Sequence, residues 1–190
     1  GGLFVPMAER FGLMARLDLM VVQQLIRWLT TDAGVRLAMT LGISSIADPT
    51  FRQALLAQLA SASSVCGRLC IGIQEHAVHY HRPDVGELVA GLRRLNVAVM
   101  IDRFGVGGVP FSYLTNLPIQ ALRIDQSFVH DLPRHPDNQF YLESIAGVGH
   151  SRGVSVYVAG VETAAEWELV RQLGIDGASG YHLGRPVPVD

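Results

Sequence analysis

The stretch Val97-Ala98-Val99-Met100-Ile101-Asp102 decides the fold, because an unbroken run of apolar residues ends there on a carboxylate. A near-continuous apolar run is typical of a parallel strand that is covered on both faces. The run 121–125 is dominated by apolar residues and also ends on an aspartate, Asp125. The two runs together predict a parallel sheet with polar side chains at the carboxyl ends of its strands.

The same alternation continues on both sides of these two runs. Strands are predicted at 36–44, 69–75, 97–102, 121–125, 154–159 and 177–181. Helical segments alternate with them, at 17–29, 49–60, 83–95, 110–116, 137–150 and 164–173. The strands recur roughly every 25 to 35 residues, which is the scale of one βα unit. Gly174 is predicted to end the last of these helices as a C′ glycine.

A closed (β/α)₈-type barrel is favoured over a doubly wound open sheet for this α/β chain. The open sheet would carry a glycine-rich dinucleotide fingerprint at its first strand-to-helix turn, and no such fingerprint is present. Barrel enzymes build their sites at the carboxyl ends of the strands. Polar residues collect at those ends here, namely Gln74, Glu75, His76, Asp102, Arg103, Asp125 and Glu162.

Composition sets limits on the class of protein. The 190 residues are 49% hydrophobic and 17% charged, which favours one packed domain over 1–190. A net charge of −2 argues against DNA binding. No apolar run approaches the ~20 residues of a membrane span, so we expect no membrane contact by this segment itself. We expect a cytoplasmic domain, and any tether to the inner membrane would come from sequence outside this chain.

Cysteines and histidines give no strong metal signal. Cys66 and Cys70 have no second Cys/His pair at zinc-site spacing, and we interpret them as buried thiols at strand ends. His76, His79 and His81 are irregularly spaced and are expected in an exposed loop, unlike the i, i+4 helix pair of a zinc enzyme.

A resemblance to a known family rests on a series of motifs in the right order along the chain. The stretch 101–107 reads IDRFGVG, and Phe111-Ser112-Tyr113-Leu114 and Leu117-Pro118 follow it. Further motifs are LRIDQSFV at 122–129, AGVET at 159–163, SGY at 179–181 with GRP at 184–186, and FVPMAE at 4–9 with Gly12-Leu13. They resemble the D-D-F-G-T-G, S-Y-L-x-x-L-P, L-K-I-D-x-S-F-V, E-G-V-E-T, Q-G-Y-x-x-x-R-P and F-I-P-x-A-E-x-x-G-L motifs of EAL domains, the cyclic-di-GMP phosphodiesterases.

The resemblance implies a modified triose-phosphate-isomerase-type barrel in which one strand runs antiparallel to the rest. It places the strand that carries E-A-L upstream of Gly1 and the closing helix after Asp190. It also implies hydrolysis of cyclic-di-GMP by two Mg²⁺ or Mn²⁺ ions, which are held by carboxylates and an asparagine.

Several metal-ligand positions of that family are replaced in this chain. Carried over position by position, the ligands that the resemblance implies become Gly42, Gly72, Arg103 and Ala159, the family lysine becomes Arg123, and Asp102 remains. Arg103 cannot lose its proton and would repel a cation, although it can bind phosphate through two parallel hydrogen bonds. We therefore predict no metal, no cofactor and no catalytic residue.

Other matching positions predict a cleft that still binds ligand. The expected ligand-binding residues are Pro6, Glu9, Asp102, Arg103, Arg123, Asp125, Glu162, Ser179, Gly180, Tyr181, Arg185 and Pro186. Glu75 is expected to support the loop 102–107.

The leading hypothesis is a catalytically inactive EAL domain that acts as a cyclic-di-GMP receptor in bacterial second-messenger signalling. It resembles degenerate members of composite GGDEF–EAL proteins, including LapD-like inner-membrane receptors. Its expected partners are cyclic-di-GMP, other domains of the same protein and, from general prevalence alone, a second copy in a homodimer. A protein-interaction module that has lost the nucleotide is the alternative, and an active phosphodiesterase is a third possibility.

Overall fold

The computed structural model describes residues 4–107, 113 and 117–187. Two compact units make up this part of the chain. The first takes in the described residues through Met100 together with those of 109–119, and the second takes in those of 101–108 and from Gln120 onward. That the whole of 1–190 forms one domain stays a prediction.

The first unit is mostly helical. Its elements are α1 Phe4–Arg10, α2 Met14–Thr31, β1 Leu37–Thr40, α3 Ile43–Ala47, α4 Pro49–Ser61, α5 Ser63–Cys66, β2 Leu69–Gln74, α6 Glu75–Tyr80, α7 Arg82–Arg94 and the start of β3 Ala98–Phe104.

Local sequence explains two long helices of this unit, α2 and α4. The buried residues of α2 recur every three or four positions, at Met14, Asp18, Val22, Leu25 and Leu29. This spacing gives the helix a single buried face. Helix α4 begins where the Asp48 side chain accepts a hydrogen bond from Thr50 N at 2.8 Å, with Pro49 in its first turn.

The second unit contains the end of β3 and most of the remaining strands. Its other elements are β4 Ala121–Ile124, two 3₁₀ turns at Gln126–Phe128 and Leu132–Arg134, α8 Pro136–His150, β5 Ser155–Ala159, α9 Ala164–Gln172 and β6 Gly177–Ser179. Thr163 and Glu166 form a capping box at the start of α9, and Gly174 follows its end with φ +74°, as predicted.

Within each unit, the described strands lie side by side in the order in which they occur along the chain. In the first unit β1 pairs with β2 in parallel, from Leu37 opposite Leu69 to Thr40 opposite Gly72. In the second unit β4, β5 and β6 pair in parallel, with Arg123 opposite Tyr157 and Ala159 opposite Ser179. All six predicted strands are present, and the parallel βα pattern is confirmed.

The first predicted strand is too long at its carboxyl end. Strand β1 stops at Thr40, and the segment from Ile43 belongs to α3 instead. The cause is Asp18, whose buried carboxylate accepts the Gly42 N–H at 2.9 Å and so directs the backbone away from the sheet. Burial, the largest influence, raises the pKa of Asp18.

Two further local predictions are wrong. His76 and His79 are exposed, but they lie on helix α6 and not in a loop, and the His76 and Tyr80 rings lie 4.4 Å apart. Apolar Ala77 and Val78 are buried on the other side of that helix, which explains why the segment is ordered. Cys66 is buried at the end of α5 and not at a strand end, whereas Cys70 lies within β2. The predicted helix 110–116 lies outside the described residues, apart from Tyr113.

None of the helices in the described ranges has both the length and the hydropathy needed to cross a bilayer.

Candidate functional site

Polar side chains of the second unit gather at the carboxyl ends of its parallel strands. Asp102 and Arg103 lie near the end of β3, and Asp125 directly follows β4. The backbone N–H of Asp125 donates to the carbonyl of Phe104 at 3.1 Å, which ties the two strand ends together. This edge is where a βα fold carries its functional residues.

Asp102 and Arg123 form a two-pronged ion pair at this edge. Arg123 Nε donates to Asp102 Oδ1 at 2.8 Å, and Arg123 Nη2 donates to Asp102 Oδ2 at 2.6 Å. The Asp102 side chain is only 9% exposed and that of Arg123 is 32% exposed. Such parallel charge-assisted bonds are the strong form of an arginine–carboxylate contact. Both oxygens of the Asp102 carboxylate are therefore engaged by a permanent cation.

Arg103 adopts a backbone conformation that is uncommon for a residue with a side chain, with φ +54°. Its N–H donates to Asp102 Oδ1 at 2.8 Å, and its Nε donates to Asp125 Oδ2 at 3.3 Å. The side chain is 62% exposed, and its Nη amino groups have no partner among the residues that the structure describes. The side chain that holds the Asp102 carboxylate is that of Arg123, whereas Arg103 contacts it only through its backbone N–H.

Asp125 is a buried carboxylate that is held in its charged form. Burial, the largest influence, raises its pKa, but hydrogen bonds from Ser127 and Arg103 outweigh burial, so that the pKa of Asp125 lies below its usual range. The Ser127 N–H donates to Asp125 Oδ1 at 3.0 Å. Asp125 thus serves both as the cap of a 3₁₀ turn and as the partner of Arg103.

Gly105 allows the chain to turn after β3. Its φ is +99°, and a Cβ at this position would lie 2.6 Å from the Tyr141 hydroxyl oxygen and 2.8 Å from the Phe128 ring. The Phe128 and Tyr141 rings stack with centroids 4.5 Å apart. Gly105, the first glycine of the IDRFGVG motif, is thus required by close packing as well as by its backbone conformation.

The loop that carries Glu162 is held by a buried carboxylate that the sequence analysis did not single out. Glu166 is 3% exposed and accepts hydrogen bonds from three backbone N–H groups, those of Glu162 at 2.8 Å, Thr163 at 3.0 Å and Asp131 at 2.9 Å. Burial, the largest influence, raises the pKa of Glu166, but these hydrogen bonds outweigh it and the pKa is lowered. The Glu162 side chain itself is exposed.

Two glycines, Gly160 and Gly180, allow the backbone near Glu162 to approach neighbouring residues closely. Gly160 has φ +83°, and a Cβ there would lie 2.5 Å from Gln126 Cβ. A Cβ on Gly180 would collide with the backbone of Val161. The backbones that carry Glu162 and Gly180 therefore approach each other more closely than a side chain would allow.

The last predicted contacts lie at the end of β6 and on the exposed segment that follows it. Ser179, Tyr181, Arg185 and Pro186 are all exposed, and the Arg185 guanidinium carbon lies 5.9 Å from the centroid of the Tyr181 ring. An arginine over an aromatic ring at this distance is a cation–π contact.

Three predicted positions belong to the first unit. Pro6 and Glu9 are exposed on α1. Glu75 is buried, and its Oε1 accepts a hydrogen bond from the Tyr113 hydroxyl at 3.1 Å. That Glu75 supports the loop 102–107 stays a prediction.

The parallel register changes which first-unit residues share the strand edge. Thr40, and not Gly42, lies opposite Gly72, and a Cβ on Gly72 would lie 2.7 Å from Thr40 Oγ1. Gly42 is instead the N-cap residue of α3. Neither Thr40 nor Gly72 supplies a carboxylate.

The groups at Asp102 do not fit a divalent cation. Mg²⁺ and Mn²⁺ require several converging oxygen ligands, and an ion at Asp102 would meet the permanent charge of Arg123. Over 4–107, 113 and 117–187, no group of three or more His, Cys, Asp and Glu side chains is arranged to hold a metal.

Comparison with known proteins places these features in a family context. The family model of the EAL domain matches residues 2–186. The cyclic di-GMP phosphodiesterase PA2567 of Pseudomonas aeruginosa is 28% identical over 188 residues, which is 97% of this chain and 32% of that protein. The chain spans about a third or less of the length of the first curated relatives that it matches.

Solved structures agree with this match. The PaMucR phosphodiesterase in its c-di-GMP complex is 27% identical, with a TM-score of 0.89 over 99% of this chain and 78% of that one. The FimX EAL domain of Pseudomonas aeruginosa bound to c-di-GMP is 28% identical, with a TM-score of 0.87 over 96% of this chain and 75% of that one. These likenesses confirm the predicted α/β fold, a modified triose-phosphate-isomerase-type barrel.

Proposed function

Since the chain belongs to the EAL domain family, we propose that it binds cyclic-di-GMP as a receptor and does not hydrolyse it. Two solved relatives, the PaMucR phosphodiesterase and the FimX EAL domain, hold this nucleotide. This chain would thus bind the same nucleotide as those proteins without hydrolysing it. Occupancy would be passed to another domain or to a second copy by favouring one conformation over another.

The observation that carries the proposal is the pair formed by Asp102 and Arg123. Two-metal hydrolysis requires ions that activate water and neutralise the charge that develops on the phosphate. With both Asp102 oxygens bonded to a guanidinium, this carboxylate contributes no open ligand to such an ion. A guanidinium attracts phosphate but cannot generate hydroxide from water, because it stays protonated at every relevant pH.

Arg103 is the proposed phosphate contact. Its side chain is 62% exposed, and of its guanidinium nitrogens only Nε has a partner within the described residues, at the long distance of 3.3 Å. Two parallel N–H groups on one side of a guanidinium match two phosphate oxygens. We expect Arg103→Ala to weaken cyclic-di-GMP binding by roughly 1 to 3 kcal/mol.

Tyr181 and Arg185 are the proposed base contacts. The Tyr181 ring is 65% exposed, and the guanidinium of Arg185 lies beside it. An exposed aromatic ring and a planar cation both offer stacking faces for a guanine base. Pro6, Glu9, Asp125, Glu162, Ser179, Gly180 and Pro186 stay proposals as ligand-binding residues.

The test is calorimetric titration of the chain with cyclic-di-GMP in EDTA, together with a chromatographic assay for linear pGpG in Mg²⁺ or Mn²⁺. We expect micromolar or tighter binding without metal and no product. Arg134→Ala is the matched control for Arg103→Ala, because Arg134 is also an exposed arginine of the second unit that pairs with an aspartate.

Each contrary outcome identifies a different function. Product formation with turnover would make this chain a phosphodiesterase, as the names of several relatives favour. Absence of any binding heat from the folded protein would leave a protein-interaction module.

A further inference from the structure

Three contacts link Arg123 to the exposed guanidinium of Arg103. Arg123 holds the Asp102 carboxylate through two hydrogen bonds, and Asp102 Oδ1 in turn accepts the backbone N–H of Arg103 at 2.8 Å. The Arg103 side chain then reaches Asp125, which also caps the following 3₁₀ turn. The position of Arg103 therefore depends on a carboxylate that another arginine orients.

The Arg103 backbone needs this support. A residue with a side chain at φ +54° lies in the left-handed region, which is disfavoured by roughly 1 kcal/mol or more and persists only where its surroundings impose it. The hydrogen bond from Arg103 N to Asp102 Oδ1 supports this conformation, and it requires that the carboxylate keep one rotamer.

Only a forked cation can fix that rotamer in the observed way. Arg123 reaches Oδ1 with Nε and Oδ2 with Nη2, so the carboxylate plane is aligned with the guanidinium plane. A lysine offers one compact charge and cannot hold both oxygens in a plane. Arg123 was predicted as a ligand-binding residue, but these contacts favour a different role.

We infer that Arg123 and Asp102 form a positioning pair that aims the Arg103 guanidinium at a phosphate of the bound dinucleotide. This inference rests on the proposed function. Arg123 then influences affinity through Arg103 and not through a contact of its own.

A double-mutant cycle on cyclic-di-GMP affinity tests the inference. We expect Arg103→Ala and Arg123→Lys each to weaken binding by about tenfold, the equivalent of one charge-assisted contact. Because Arg123 acts through Arg103, Arg123→Lys in the Arg103→Ala background should change affinity by less than about twofold. An equal loss in both backgrounds would overturn the inference, since it would mean a direct contact or general damage.

A ligand-free measurement keeps this inference separate from the proposed function. We expect Arg123→Lys to shift the Nε–H and backbone amide NMR signals of Arg103, while the control Arg134→Lys leaves them in place. Unchanged Arg103 signals would overturn the positioning role whether or not the nucleotide binds. Failure of the wild-type chain to bind cyclic-di-GMP would instead overturn the proposed function. If Arg123→Lys does not fold, Asp102→Asn replaces it with the same expected shifts.

Discussion

Glu166 offers a sharp test of how the loop that carries Glu162 is held. Its Oε2 accepts the N–H groups of Glu162 and Thr163, and its Oε1 accepts that of Asp131. Glu166→Gln preserves size and shape but replaces one of these oxygens by an amino group. At least one backbone N–H would then face a donor in place of an acceptor.

The expected loss can be estimated from these contacts. A hydrogen bond to a charged group contributes about 1.5 to 3 kcal/mol, and a buried donor without an acceptor adds to the loss. We therefore expect Glu166→Gln to lower the free energy of unfolding by about 2 to 4 kcal/mol at neutral pH.

The loss of stability in Glu166→Gln should depend on pH, and the direction of this dependence follows from the pKa of Glu166. The pKa of Glu166 in the folded protein lies below the ordinary value of 4.5, because the hydrogen bonds to backbone N–H groups outweigh burial. The stabilisation by the carboxylate is thus complete above the ordinary pKa and is lost as the pH falls through the lower, folded value. Glutamine does not titrate. The difference in the free energy of unfolding between the wild type and Glu166→Gln should therefore become smaller in acid.

Urea unfolding followed by circular dichroism at neutral pH and near pH 3 measures both effects. Glu168→Gln is the matched control, because Glu168 lies on the same helix with a 59% exposed side chain and should change stability little. Two results would refute this role of Glu166. One is a decrease in the free energy of unfolding of less than about 0.5 kcal/mol for Glu166→Gln, and the other is a difference between the two proteins that does not change with pH.

Two other predictions concern the strand edge. Gly160→Ala should destabilise the protein by about 1 to 3 kcal/mol, because φ is +83° and the new Cβ would meet Gln126. The control Gly147→Ala places its Cβ in open space on helix α8 and should not destabilise the protein. Urea unfolding measures both changes. Arg103→Ala should raise the pKa of Asp125, because it removes a cation and a hydrogen bond, and an unchanged pKa by carboxyl-carbon NMR would contradict their contact.

The strands could be predicted from the sequence because apolar content reports burial directly. Strand β2 is buried along most of its length, and β4 is buried at three of its four positions, as expected for strands covered on both faces. The rule that a carboxylate after an apolar run ends the strand holds for Asp125, which directly follows β4, whereas β3 continues beyond Asp102 to the buried Phe104.

Contacts between strands could not be predicted in the same way. Asp102 and Arg123 lie 21 positions apart, and only the arrangement of β3 and β4 brings their charges together. The end of β1 at Thr40 also depends on a distant contact, because the carboxylate of Asp18 on α2 accepts the Gly42 N–H from 24 positions away. The spacing of residues along the chain reveals neither of these two contacts.

The role of Glu166 was within reach of the sequence. Thr163 followed by Glu166 three positions later is the capping-box pattern, and it stands directly before α9. What the pattern does not reveal is the third donor, the backbone N–H of Asp131, because that contact also depends on tertiary structure.

Because both oxygens of Asp102 are bonded to Arg123, we expect Asp102 to take no part in binding a pair of divalent ions. Electron paramagnetic resonance of Mn²⁺, titrated with the wild-type chain and with Asp102→Ala in the presence of cyclic-di-GMP, tests it most directly. We expect the same Mn²⁺ signal for both proteins, with no bound ion that depends on Asp102. Two bound ions in the wild-type chain that disappear in Asp102→Ala would contradict it.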